Sequence, residues 1–288
     1  MAVHMLMRPR FPLQVPDIDL INDEMTANRK DQGMCALLAA SPEVKKIGED
    51  VWEGFTRVVF HFRERESFLV LPSQFGQGNP WIWRPTFFGA WPEADLRLLT
   101  KGFHLAYTDV LDYYAAPDGI EHGKAFHDLL VAVGLASRFS FVALSRGGLF
   151  AFRYSESFPQ EVQSIYADAP VCDVRSWPGG QGKASRAEEE LRQMLRSHRI
   201  EENQAFEAAF QPLNRLAPLA KAGIPLLHVC GMSDVVVPYE ENTFILERNY
   251  RALGGEITFI PKPGVGHHPH GLEDPTPIVS FIERHSEI

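Results

Sequence analysis

Cysteine is scarce, and its placement serves no visible bonding scheme. Cys35, Cys172 and Cys230 are odd in number, far apart, and include no C-x-x-C pair. Neither a disulfide framework nor a cysteine-held zinc is therefore expected. Cys172 and Cys230 fall in apolar, strand-like runs, where a free thiol acts as a small hydrophobe. Nowhere does an apolar run approach the ~18 residues that a bilayer-spanning helix requires. Lys and Arg number 28 against 37 Asp and Glu, a formal net charge of −9. Without a basic face the chain lacks the grip that nucleic acid or anionic membrane demands, so neither is an expected partner. Internal repeats and low-complexity tracts are missing too. The first twelve residues carry Arg8 and Arg10 with no apolar stretch behind them, so the chain reads as cytoplasmic. Oligomeric state is left open.

What is present is an ordinary globular composition over 288 residues, 45% hydrophobic and 23% charged. A chain of this length buries roughly three quarters of its unfolded surface, enough for a core that needs no metal or disulfide. From residue 52 onward, short β-branched or aromatic runs alternate with amphipathic ones. Strands are expected at 54–62, 67–71, 81–84, 103–109, 139–144, 162–167, 224–230 and 257–260. Helices are expected at 92–101, 119–133, 146–157, 240–253 and 277–284. The alternation pauses at a glycine-rich loop, 177–182, and a charged, mixed-sign helical stretch, 184–210. Strands alternating with helices imply parallel crossovers and a sheet covered on both faces. The expected architecture is α/β: one domain over 51–288 with a cap-like insertion at about 176–212, preceded by an N-terminal extension, 1–50.

The sharpest local signal is FSFVALSRGGLF at 139–150. An apolar strand runs into Ala143-Leu144-Ser145-Arg146-Gly147 and then a helix, a G-x-S-x-G pattern with alanine at the first small position. A serine at the tip of a strained turn needs small residues two before and two after it, where larger side chains would strike the neighbouring strand and helix. The N–H of Arg146 would then point to where an oxyanion forms. Such short matches also arise in purely structural strand–helix turns. Two further elements lie downstream. Asp234 follows the strand at 224–230, although it could equally cap the next helix. His267 follows Gly264-Val265-Gly266 after the last strand, with His268 and His270 as rivals for its role. Adjacent histidines seldom ligate one ion together, so no metal is expected there.

With these residues in the order Ser, Asp, His, the chain resembles the serine hydrolases of the α/β-hydrolase fold from about residue 55 to 282. The runs PWIWRPTFFG, SRGGL, YADAPVCDVRSWPGGQG, SDVVVPYEEN and PGVGHHPHGLEDP resemble a bacterial group of unassigned substrate, related to carbohydrate esterases and prolyl-oligopeptidase-like hydrolases. The resemblance implies Ser145 as nucleophile, Asp234 as acid and His267 as base, with Asp168 the rival acid, otherwise expected to brace the active-site loop or meet substrate. It implies a second oxyanion donor in the run 84–89. Pro85 has no N–H, which leaves Thr86, with Phe87 behind it. Trp81, Trp83, Phe87, Phe88, Trp91 and Trp177 would gather aromatic surface at the mouth, with at least one of Trp81 and Trp83 in the core. Phe87, Trp177 and His268 are the expected substrate contacts. Arg84 and Arg146 could meet an anionic substrate group or pair with Asp168 or Glu93. The implied activity is cleavage of a small polar or carbohydrate-linked carboxylic ester, with no cofactor. A peptidase-like activity and an inactive binding protein are the alternatives.

Overall fold

The computed structural model describes residues 33–286. A helix (α1) covers 33–40. The elements that follow are β1 (Val44–Trp52), β2 (Phe55–Phe62), β3 (Arg65–Val70), β4 (Trp81–Trp83), α2 (Glu93–Thr100), β5 (His104–Thr108), α3 (Pro117–Ala132), β6 (Phe139–Leu144), α4 (Gly147–Ser157) and β7 (Val162–Asp168). Then come α5 (Glu188–His198), α6 (Glu202–Ala205), α7 (Ala217–Lys221), β8 (Leu226–Gly231), α8 (Thr243–Ala252), β9 (Ile257–Lys262) and α9 (Thr276–Arg284). The strands form one sheet in the order β1-β2-β3-β5-β4-β6-β7-β8-β9. Pairing is antiparallel from β1 through β3 to β5 and parallel from β5 to β9.

Each central strand is buried on both faces, so its successive residues serve two different cores. Trp81 and Trp83 of β4 and Phe139, Phe141 and Ala143 of β6 join Phe126 of α3 and Phe150 and Tyr154 of α4. Ile82 and Val142, one residue out of phase, pack instead with Leu98 and Leu99 of α2 and Ile278 and Ile282 of α9. Both Trp81 and Trp83 are therefore core residues and do not reach the mouth of the site. No helix among the described residues is long and apolar enough to cross a membrane.

β1 has no counterpart among the expected strands. Of its nine residues only Val44 is buried, and a bulge between Lys45 and Gly48 breaks its register on β2. An edge strand with so little burial carries no alternating pattern to read. A domain boundary at residue 50 would cut through it. The segment between β7 and β8 holds α5, α6 and α7, so the expected continuous helical stretch is broken, first where Arg199 takes φ 56°.

Three of the buried histidines have strongly lowered pKa values. Burial holds His104 down to about 4, His122 to about 4 and His228 to about 3. Each lies below the unfolded value, so the unfolded chain binds more protons once pH falls below about 6.5. Their contribution to stability is complete above that pH and drains away toward pH 4. Asp95, pushed up to about 6 by burial, acts in the opposite sense over part of this window. With three histidines set against one carboxyl, the urea midpoint should be lower at pH 5 than at pH 7. An unchanged or higher midpoint at pH 5 would contradict this.

Candidate active site

The chain leaves β6 at Leu144, reverses at Ser145 and enters α4 at Gly147. Ser145 has φ 51°, a left-handed conformation that a non-glycine residue adopts only when its surroundings impose it. The Ser145 N–H donates to the Asp168 carbonyl at 2.9 Å, and its own carbonyl accepts from Gly148 and Val171, both at 3.0 Å. The two glycines that follow are forced by contact. A Cβ on Gly147 would stand 2.5 Å from Thr86 Oγ1, and one on Gly148 would stand 2.7 Å from Pro170 Cβ. Ala143 is fully buried and fits without glycine.

Three side chains from three loops meet at this turn. Ser145 Oγ lies 2.9 Å from His267 Nε2, and His267 Nδ1 lies 2.7 Å from Asp234 Oδ2. Asp234 Oδ1 accepts the N–H groups of Val236 and Val237 at 2.8 and 2.9 Å, which fixes the carboxylate plane. Asp234 therefore turns its own loop and holds His267 with the other oxygen. The end of β8 carries this aspartate against the histidine loop: a Cβ on Gly231 would fall 2.0 Å from the Gly266 carbonyl. Such a constellation can take a hydroxyl proton onto an imidazole whose tautomer a carboxylate has set.

A second histidine–aspartate pair stands beside the first. Asp168, at the end of β7, accepts from His270 Nδ1 at 2.6 Å, from the Gly271 N–H at 2.9 Å and from the Tyr166 hydroxyl at 2.9 Å. Both side chains are 1% exposed. Asp168 thus braces the loop that carries His267, with His270 and the Gly271 N–H as its partners there. His268 is exposed and stacks on Trp91, centroids 4.9 Å apart and planes 12° apart. Trp91 also meets the edge of His270.

Trp91 ends a loop shaped from within by a buried arginine. Arg84 Nη1 donates to the carbonyls of Phe87, at 2.9 Å, and Ala90, at 2.5 Å, and its Nε lies 2.8 Å from Asp95 of α2. With side chains 1% and 0% exposed, this pair is sealed off, so Arg84 cannot meet substrate, and its partner is neither Asp168 nor Glu93. Replacing Arg84 with methionine would strand the Asp95 carboxyl and release the loop carbonyls. Unfolding free energy is expected to drop by about 3–5 kcal/mol, the usual cost of breaking a buried pair from one side. Chemical denaturation reads this, and a loss below about 1 kcal/mol would show that the pair is not what holds the loop.

Thr86 is buried against the turn, and its Oγ1 has no hydrogen-bond partner among the described residues. Among the described residues, the N–H groups of Thr86 and Arg146 donate to no backbone carbonyl. Phe87 takes φ 54° and lies under the Arg146 guanidinium, 5.6 Å from ring centre to Cζ. That guanidinium donates to Tyr114 Oη at 2.8 Å and to Glu190 of α5 at 2.7 Å. The segment between β7 and β8 therefore reaches the turn through Glu190, a link no local sequence signal announces. Trp177 is half-buried and packs on the main core.

No protein-family model matches the chain, and no curated protein matches it in sequence. Solved structures do. Dipeptidyl peptidase 4 from Porphyromonas gingivalis is 16% identical with TM-score 0.58, over 84% of this chain and 35% of that one. A puromycin hydrolase is 17% identical with TM-score 0.60, over 84% and 38%. Acetyl xylan esterase 1 from Thermoanaerobacterium sp. JW/SL YS485 is 16% identical with TM-score 0.57, over 89% and 94%. This chain spans little more than a third of the first two proteins and matches nearly all of the third. It has the α/β-hydrolase fold, as the resemblance implied.

Proposed function

We propose that the protein is a serine hydrolase that cleaves carboxylic esters through an acyl-enzyme. The observation that carries this reading is the unbroken hydrogen-bond chain from Ser145 through His267 to Asp234. Ser145 Oγ attacks the ester carbonyl carbon as its proton passes to His267 Nε2, and Asp234 stabilises the imidazolium. The carbonyl oxygen, now an anion, sits between the N–H groups of Arg146 and Thr86. Collapse breaks the bond to the alcohol, which leaves with the proton held on His267. Water then attacks the acyl carbon with His267 again accepting the proton, and the acid departs from Ser145.

Two things favour an ester over a peptide. The esterase neighbour matches along almost its whole length, whereas the peptidase neighbour is nearly three times as long as the matched part. Beside the histidine loop lies a cleft of about 640 Å³, lined among others by Trp91, Glu93, Lys262, His270 and Glu273. An aromatic platform with carboxylates and an ammonium around it suits the alternating apolar faces and hydroxyls of a sugar. This supports a carbohydrate-linked or similarly polar ester. A peptidase reading keeps support from the fold likeness to dipeptidyl peptidase 4.

A fluorophosphonate probe tests the class and a substrate panel tests the specificity. The probe should label Ser145 alone, and acetylated sugars should be hydrolysed faster than aminoacyl amides. Absence of labelling removes the hydrolase reading; preference for the amides replaces esterase with peptidase.

A further inference from the structure

Hydrolysis as described uses one of the three histidines at 267–270. The other two are packed around it at separations with a chemical meaning of their own. The ring centroids lie 4.8 Å apart for His267 and His268, 4.9 Å for His268 and His270, and 5.0 Å for His267 and His270. One nitrogen from each ring lies within 4.8 Å of the others. A tetrahedral zinc ion binds imidazole nitrogen at about 2.0–2.1 Å, which spaces three ring centroids by roughly 5 Å. The rings already stand at this spacing, so seating an ion asks chiefly for His268, the ring held by neither Asp234 nor Asp168, to turn. The nitrogens would close from within 4.8 Å to roughly 3.4 Å.

We infer that His267, His268 and His270 form a site for a divalent transition-metal ion of the zinc class, and that its occupancy silences the active site. Two further observations point the same way. Metal-ligating histidines usually give their second nitrogen to a carboxylate, which fixes the tautomer and sharpens the remaining lone pair. Here His267 Nδ1 is held by Asp234 and His270 Nδ1 by Asp168, leaving Nε2 as the ligand atom on each. Two such carboxylate-backed imidazoles in ring contact are more than one catalytic base requires. The third ring, His268, is exposed and free to turn off Trp91. An all-imidazole set selects zinc, copper or nickel over magnesium and calcium, which prefer oxygen. His267 and His268 are adjacent in sequence, an arrangement that seldom serves one ion, yet their rings are inclined by 59° and a nitrogen of each lies within 4.8 Å of the other.

Silencing follows from lone-pair arithmetic. Nε2 of His267 has one lone pair, which accepts the Ser145 hydroxyl proton in the metal-free protein. Once that pair binds the ion, Ser145 has no base. No bond is made or broken elsewhere, and chelation restores the starting state.

The inhibitory half of this inference rests on the hydrolase reading; the binding half does not, and one experiment separates them. Wild-type protein is titrated with zinc chloride by calorimetry, with magnesium chloride as control, and ester hydrolysis is followed at the same zinc concentrations. One equivalent of zinc should bind and magnesium should give no heat. His268→Asn and His270→Asn should each weaken zinc binding by about tenfold or more. Hydrolysis should fall as the site fills and return with EDTA. If His270→Asn fails to fold, the exposed His268 still decides the assignment. Absence of binding up to about 1 mM zinc, or binding indifferent to the histidine substitutions, overturns the site. Zinc that binds without slowing hydrolysis overturns the silencing. Should the zinc-free protein hydrolyse no ester, the hydrolase reading fails while the calorimetry still judges the metal site.

Discussion

Ser145→Ala is expected to leave a folded protein whose best ester is hydrolysed about a thousandfold more slowly or worse. The substitution removes one oxygen from a turn whose backbone is held by other means. Ser145's N–H and carbonyl bond to Asp168, Gly148 and Val171, none of them through the hydroxyl. Alanine is no more strained than serine at φ 51°, so the melting temperature should hardly move. What disappears is the only nucleophile among the described residues in hydrogen-bond reach of His267. Residual rate would come from the donors at Thr86 and Arg146 and from binding alone. Near wild-type turnover with an unchanged melting temperature would dismiss Ser145 as nucleophile and the esterase reading with it.

The second large effect concerns the base. His267→Ala should abolish the pre-steady-state burst from an activated ester, because the burst is acylation of Ser145 and acylation needs a proton acceptor. His268→Ala should keep the burst and chiefly raise KM, since His268 lies on Trp91 and bonds to neither Ser145 nor Asp234. The carboxylates should follow the same division. Asp234→Asn disturbs the tautomer of His267 directly and should cost about four orders of magnitude in kcat. Asp168→Asn acts only through the loop that it braces, so its loss should be smaller and accompanied by a lower melting temperature. A burst that survives in His267→Ala and vanishes in His268→Ala would hand the role to His268. A reversed ranking of the two aspartates would move the acid to the end of β7.

How much of this was legible in the sequence depended on how local each constraint is. The turn at Ser145 is written within a dozen residues: an apolar strand, small residues either side of the serine, then a helix. The α/β architecture was legible for the same reason, since each strand and helix carries its own period. β1 escaped because eight of its nine residues are not buried, leaving no face to mark. Arg84 was assigned the wrong partners because Asp95 reads as an ordinary acid in the first turn of an amphipathic helix. Only the packing of α2 reveals that Asp95 shares the buried face with Ala94, Leu98 and Leu99. The Asp168–His270 pair spans 102 residues and needs β7 and the histidine loop placed side by side before it can be seen. The sequence did offer Asp168 as a brace, from its place at a strand end. It did not say which of three neighbouring histidines takes the brace and which takes the serine, because that depends on loop geometry, not on residue type.

The stacking of Trp91 on His268 gives the protein an optical property. An imidazolium in face contact quenches indole emission far more strongly than a neutral imidazole does. Trp91 therefore reports the charge of His268, one residue from the proposed base, without any substrate present. Burial, together with the neighbouring His267 and His270, holds His268 below the usual histidine range, so the dimming should begin at more acidic pH than for a free histidine. Trp83, sealed in the core among Phe126, Phe141 and Tyr154, supplies a steady background against which this change stands out. At acidic pH, where His268 is charged, a molecule that enters the cleft along Trp91 and parts the two rings should brighten the protein, so intrinsic fluorescence would read occupancy for compounds that are never turned over.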